Sequence, residues 1–154
     1  MQYIGTVIAV RDIQRSRAFY EELFGMTVFQ DYGINLMFNG GLSLQQAFDW
    51  LIDVPKASVQ YRTHNMELCF EEERFDDFLQ TLQCMPQVRI HGDVLTHRWG
   101  QRVVRFYDPD GHLIEVGESM PMVIHRFLDS GMSIQQISER MDVSVDDLER
   151  LLRR

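Results

Sequence analysis

Cysteine is scarce in this 154-residue chain: Cys69 and Cys84 are the whole supply, and they form no CxxC pair. That usage argues against a disulfide framework and against a thiolate zinc site. Positive charge is short as well. The 15 Lys and Arg stand against 23 Asp and Glu, for a net charge of -8 and a pI of 5.0. Phosphate contacts need a basic face, so nonspecific binding to nucleic acid or to an anionic membrane is not expected. Lysine is rarer still, with Lys56 the only one; almost all the basic residues are arginine. Long apolar runs are missing, and MQYIGTVIAVRD carries no basic leader. No secretory or membrane-spanning segment is expected, which makes the cytoplasm the default location.

What is present suits a buried core: 45% hydrophobic residues and 11% aromatics exclude wholesale disorder. Residues 1–10 are apolar and β-branched, the pattern of a strand. Asp12 can cap a helix over residues 13–24, whose Ile13, Ser16, Phe19, Tyr20, Leu23 and Phe24 share a face, and Gly25 stands where a C-cap glycine belongs. Short strands are expected at residues 27–31, 34–38 and 41–47, then a helical turn at 49–55 and a connector at 56–65. The order then recurs: a strand at 66–71, a helix at 73–82 with Phe75, Phe78, Leu79 and Leu82 on one stripe, and strands at 88–95, 102–107 and 112–117. The chain therefore reads as α+β, with a βαβββ module written twice at an offset of roughly sixty to seventy residues. The modules span about 1–55 and 64–118, forming one domain over 1–118. Residues 119–154 have helical periodicity throughout, with breaks at Gly131 and Ser144, and read as three short helices.

The stretch RFYDPDGHLIEVGE, Arg105 to Glu118, places a carboxylate, Glu115, in the middle of an apolar strand. Setting Gly41 against Gly111 brings GLSLQQ beside GHLIEV, so Gln45 falls opposite Glu115, and in the first strands Gly5 falls near Glu67. Two curled mixed sheets holding Gln45, Glu67 and Glu115 on their concave faces would enclose a partly polar pocket. A carboxylate there must be paired, bound to metal or open to water, because burying it alone is costly. The plainer alternative, a glutamate facing bulk solvent from a half-exposed strand, has equal standing.

VIAVRDIQRSRAFYEELFGM (residues 7–26), FDDFLQTL (75–82) and WGQRVVRFYDPDGHLIEVGE (99–118) together resemble the vicinal oxygen chelate superfamily, which includes glyoxalase I, extradiol dioxygenases and the fosfomycin- and bleomycin-resistance proteins. The resemblance implies paired βαβββ modules, a pocket often completed by a homodimer, and metal ligands from the first and fourth strands of each module. Glu115 matches the last-strand glutamate. The histidine positions fall on Glu67 and on Gly5, and the remaining ligand position on Gln45 or, one alternation earlier, Ser43. With both histidines replaced, the surviving set of Glu67, Glu115 and Gln45 suits a hard divalent cation, magnesium, manganese or calcium, rather than zinc, nickel or iron. Without metal, two facing glutamates would share one proton and serve proton transfer on a small substrate.

Other residues belong to the candidate set. His97 and Trp99 lie in the connection before a strand; a loop anchored by Trp99 with His97 exposed is the plainer reading, and the alternative is a pocket lining with His97 as an imidazole replacing a missing one and Trp99 as a stacking surface. His64 is a weaker substitute. Cys69 shares a face with Glu67 and is expected to be a small buried hydrophobe that borders the same cavity. Asp108, Asp110 and His112 read as turn residues. In the tail, Ile134, Ile137, Met141, Val143, Val145, Leu148 and Leu151 are spaced like the core of a helix-turn-helix, yet the last helix opens with Asp146, Asp147 and Glu149, which argues against DNA. The expected function is a glyoxalase-like small-molecule enzyme of the isomerase or lyase type, with Glu67, Glu115 and His97 as catalytic groups and Gln45, Trp99 and Cys69 on the substrate. A metal-free binding protein and a ligand-responsive regulator using the C-terminal helices are the alternatives.

Overall fold

The computed structural model describes residues 1–153, which form two compact units: residues 1–66 with 107–113, and residues 67–106 with 114–153. In the first unit, β1 (Thr6–Val10) leads into α1 (Ile13–Phe24), then β2 (Val28–Asp31), β3 (Asn35–Phe38) and β4 (Leu42–Gln46). A short helix, α2 (Phe48–Ile52), and a single 3-10 turn at Lys56–Ser58 follow. The sheet order is β1-β4-β3-β2, with β1 parallel to β4 and the other pairs antiparallel.

Local signals account for these elements. Asp12 accepts hydrogen bonds from the Gln14 and Arg15 amides, at 3.0 and 3.1 Å, and so satisfies donors that α1 leaves free. Gly25 closes the helix at φ 61°, a conformation that costs glycine nothing. The buried face of α1, with Ile13, Ser16, Phe19, Tyr20 and Leu23, and the sheet residues Ile8, Val10, Leu36, Phe38 and Leu44 supply the core. Tyr20 meets Phe38 with ring centroids 5.9 Å apart.

In the second unit, β5 (Leu68–Glu72) precedes α3 (Phe75–Gln83), then β6 (Arg89–Ile90), β7 (Leu95–Thr96), β8 (Arg102–Tyr107) and β9 (Leu113–Glu118). The order is β5-β9-β8-β6, with β7 also on β8 and β5 parallel to β9. The single strand expected at 88–95 is thus two short ones. His91 to Val94 is exposed throughout and Gly92 sits at φ 73°, so the chain turns out of the ladder between them. Phe78 of α3 faces Phe106 of β8 with 6.1 Å between ring centroids.

The three expected tail helices are α4 (Met120–Asp129), α5 (Ile134–Met141) and α6 (Val145–Leu151). They share a core of Ile124, Ile137, Met141 and Leu148, against which Trp99, Met120 and Phe127 pack. They belong to the second unit. A buried carboxylate fastens them: Glu118, fully buried, accepts from the Arg102 amide (3.0 Å), from Arg102 Nε (2.8 Å) and from Arg126 Nη1 and Nη2 (2.6 and 2.9 Å). Arg126 also donates to the Gly100 carbonyl at 2.6 Å. Burial disfavours the Glu118 anion, but the Arg126 and Arg102 hydrogen bonds outweigh it and pull its carboxyl down to about 2.

Register corrects one equivalence between the modules. Ile8 pairs with Leu44 and Leu68 with Ile114, so with Leu44 matched to Ile114 the residue level with Glu67 is Val7, and Gly5 is level with Asn65. Gly5 has a physical reason to be glycine. A Cβ there would lie 1.9 Å from the Gly41 carbonyl oxygen.

Two outcomes follow from this packing. Gly5→Ala is expected to cost about 2 kcal/mol, seen as a melting temperature lower by about 4–8 °C in calorimetry. Because the folded-state carboxyl of Glu118 lies below its ordinary value of 4.5, its contribution is complete above that pH and is lost as pH falls toward 2. Glu118→Gln should therefore destabilise the chain by about 3 kcal/mol at pH 7, and denaturant titrations of the two proteins should converge near pH 2.

Candidate functional site

Strand alternation builds the site in the second unit. In β9 and β8, Ile114, Val116, Val104 and Phe106 are buried among the core residues, so Glu115 and Arg105 point to the opposite face. Cys69 of β5 pairs directly with Glu115, and Glu67 lies one alternation before Cys69. One donor atom from each of Glu67, Cys69 and Glu115 falls within 4.8 Å of the others. These residues meet as neighbours on one sheet face, not across a hollow.

Arg105 joins them. Its Nε lies 3.2 Å from Glu67 Oε2, and its Nη2 ion-pairs with Glu115 Oε2. The three side chains retain 33% (Glu67), 24% (Arg105) and 17% (Glu115) exposure, so a small molecule can reach them. The pair of bare, facing carboxylates expected from the sequence is therefore a carboxylate–guanidinium–carboxylate bridge. Cys69, expected to be buried, is exposed. Its thiol is pushed up by partial desolvation and then by the Glu67 and Glu115 charges, against the opposing effect of Arg105.

Several sequence candidates are engaged in contacts of their own. Gln45 is 1% exposed and belongs to the first unit; its Oε1 accepts from Asn35 and its Nε2 donates to the Gln46 carbonyl, at 2.8 and 2.6 Å. Those bonds commit both ends of the amide, which removes it as an open ligand. Ser43 is also buried, at 2%. His97 stacks on Trp99 at 4.1 Å between centroids, and Trp99 packs on the tail core while donating to Gln101 Oε1 at 3.0 Å. His64 Nε2 and the Tyr107 hydroxyl are 2.8 Å apart.

Asp108, Asp110 and His112 are turn residues, as expected. Asp108 Oδ1 accepts from the amides of Asp110, Gly111 and His112, and its Oδ2 from the Tyr20 hydroxyl, with His112 Nδ1 at 2.8 Å. Asp110 takes Arg11, Arg15 and Ser16. Arg105 was not among the sequence candidates. A signal existed: counting by twos back through the hairpin places it on the face of Glu115.

The donors at 67, 69 and 115 have the spacing of a metal site but not its charge. The Arg105 guanidinium already ion-pairs with both carboxylates and offsets one of their two negative charges. The residues as held do not fit a divalent ion.

The family model for the glyoxalase-like domain matches residues 3–121. The chain belongs to the glyoxalase-like family. Its glyoxalase-like domain is 28% identical over 110 residues to the metallothiol transferase FosB of Lysinibacillus sphaericus, covering 71% of this chain and 76% of the relative. A crystal structure of an Agrobacterium tumefaciens protein of unknown function is 36% identical with a TM-score of 0.67, covering 77% of this chain and 94% of that one. A lactoylglutathione lyase from the same species, 20% identical with a TM-score of 0.55 over 76% of this chain and 92% of its own, shares the fold. The vicinal oxygen chelate superfamily inferred from the sequence is thus the correct one. The glyoxalase-like match ends within the first turn of α4, so most of the helical tail lies outside the matched residues.

The charge arrangement around Cys69 has a measurable consequence. Glu67→Gln removes one of the charges that raise the thiol, so Cys69 should react with iodoacetamide several-fold faster at pH 8 than in the unmodified chain, as followed by peptide mass spectrometry.

Proposed function

We propose that the chain is a glyoxalase-like enzyme of the isomerase or lyase type that moves a proton beside a carbonyl of a small oxygenated or thiol-conjugated metabolite. The face of β5, β8 and β9 receives the substrate. Glu115, half-buried and oriented by Arg105, is the carboxylate that takes a proton from the carbon next to the carbonyl and returns it to the neighbouring carbon. Glu67 and Cys69 border the same substrate. The observation that carries this reading is the convergence of Glu67, Cys69 and Glu115 within 4.8 Å on an accessible face of a glyoxalase-like domain. The enzyme-type relatives, a metallothiol transferase and a lactoylglutathione lyase, are in keeping with it. No helix among the described residues is long and apolar enough to cross a membrane.

The absence of histidine from this cluster supports a second reading, binding without turnover. One experiment separates the two. The protein is incubated in deuterium oxide with a panel of α-hydroxycarbonyl compounds and thiol hemithioacetals, and label at the carbon beside the carbonyl is followed by proton NMR. Turnover predicts incorporation that Glu115→Gln lowers by about 10²-fold or more, with ligand affinity nearly unchanged. Binding without incorporation favours the second reading. A panel with neither binding nor exchange removes both.

A further inference from the structure

Arg105 is held at two of its three guanidinium nitrogens. Nε bonds to Glu67 and Nη2 to Glu115, while Nη1 makes no hydrogen bond to any described residue. The side chain is 24% exposed, so the remaining nitrogen can meet a ligand. We infer that Arg105 is the built-in cation of this face: it bridges Glu67 and Glu115, which stand at two positions that the resemblance gives to metal ligands, and it offers Nη1 to an oxygen that becomes negative during reaction.

Two observations carry the inference. The donors of Glu67, Cys69 and Glu115 lie close enough to share a cation, and the cation that both carboxylates touch belongs to the protein. A divalent ion entering between them would confront a fixed positive charge within contact distance, and like charges at that range repel strongly in a partly desolvated setting.

The arrangement suits enolisation. When Glu115 removes a proton from the hydroxyl-bearing carbon beside a carbonyl, the C–H electron pair becomes the C=C bond of an enediolate and the carbonyl π pair moves to its oxygen. A guanidinium N–H donated to that oxygen stabilises the enediolate; the proton then returns from Glu115 to the former carbonyl carbon, and the hydroxyl proton passes to the former carbonyl oxygen as the new carbonyl forms, with no net change in composition. This electrophilic role rests on the proton-transfer reading above; the exclusion of metal does not.

The test uses Mn²⁺ as the probe. Chelator-treated protein is titrated and free Mn²⁺ is followed by electron paramagnetic resonance, for the wild-type chain, Arg105→Gln, and Arg105→Gln combined with Glu115→Gln. The wild type should show no saturable site, Arg105→Gln should gain one at least tenfold tighter than any wild-type binding, and the double variant should lose it. A saturable site in the wild type, or no gain on removing the guanidinium, overturns the inference. The wild-type titration needs no variant, so it decides the matter even if Arg105→Gln does not fold. Arg105→Gln should also slow deuterium exchange by at least a hundredfold. If the metal titrations come out as stated and no substrate exchanges, the cation role stands and the proton-transfer reading falls.

Discussion

Two buried carboxylates in the Asp-Pro-Asp-Gly turn hold the arrangement on which everything else rests. Asp108 accepts three successive amides of its own turn together with the Tyr20 hydroxyl. Asp110, with a fully buried side chain, binds both Arg11 and Arg15 and the Ser16 hydroxyl. Gly111, at φ 96°, lets the chain reverse between β8 and β9. In a hairpin the turn sets the register, and a slip of one residue would send every side chain to the other face. Without that turn, Arg105 and Glu115 would not share a side of the sheet.

The arginine bias acquires a partial explanation in this context. Arg105 spans Glu67 and Glu115, Arg102 spans Asp76 and Glu118, and Arg17 spans Glu21 and Asp31. A planar guanidinium with donors in a fixed fork can hold two carboxylates at once, whereas an ammonium is a compact point charge on a flexible stem. In a chain of net charge -8, bridging arginines let acidic residues cluster without leaving bare like charges side by side.

The C-terminal helices extend the second unit. Glu118, the last residue of β9, is buried between Arg102 and Arg126, and the turn at Gly100 fits under Phe127 so closely that a Cβ there would lie 2.3 Å from Phe127 Cζ. The helix-turn-helix spacing is real at the level of packing: Ile137, Met141 and Leu148 are buried, Ser133 closes a capping box, and Ser144 caps α6. Charge points away from DNA. Asp146 and Asp147 stand in the first turn of α6, while Arg150 pairs with Asp147 and Arg153 with Glu149.

Element type and order were legible in the sequence because they rest on near-neighbour physics. The cap at Asp12, the glycine at 25, the alternation in β8 and β9 and the stripes of α1 and α3 are each set within a turn or two of chain. The superfamily was legible because its motifs occupy contiguous stretches. What lay beyond reach was decided by partners distant in sequence. Gln45 aligned with Glu115, yet Asn35 and the Gln46 carbonyl take its amide into the interior. Trp99 read as a loop anchor or a pocket wall, and the apolar surface it packs on comes from helices some twenty residues and more beyond it. The charge state of the site was the least legible feature of all. Glu67, Arg105 and Glu115 are ordinary residues on a polar strand face, and only sheet pairing, which brings residues 38 and 10 positions apart within bonding distance, makes them one ionic unit.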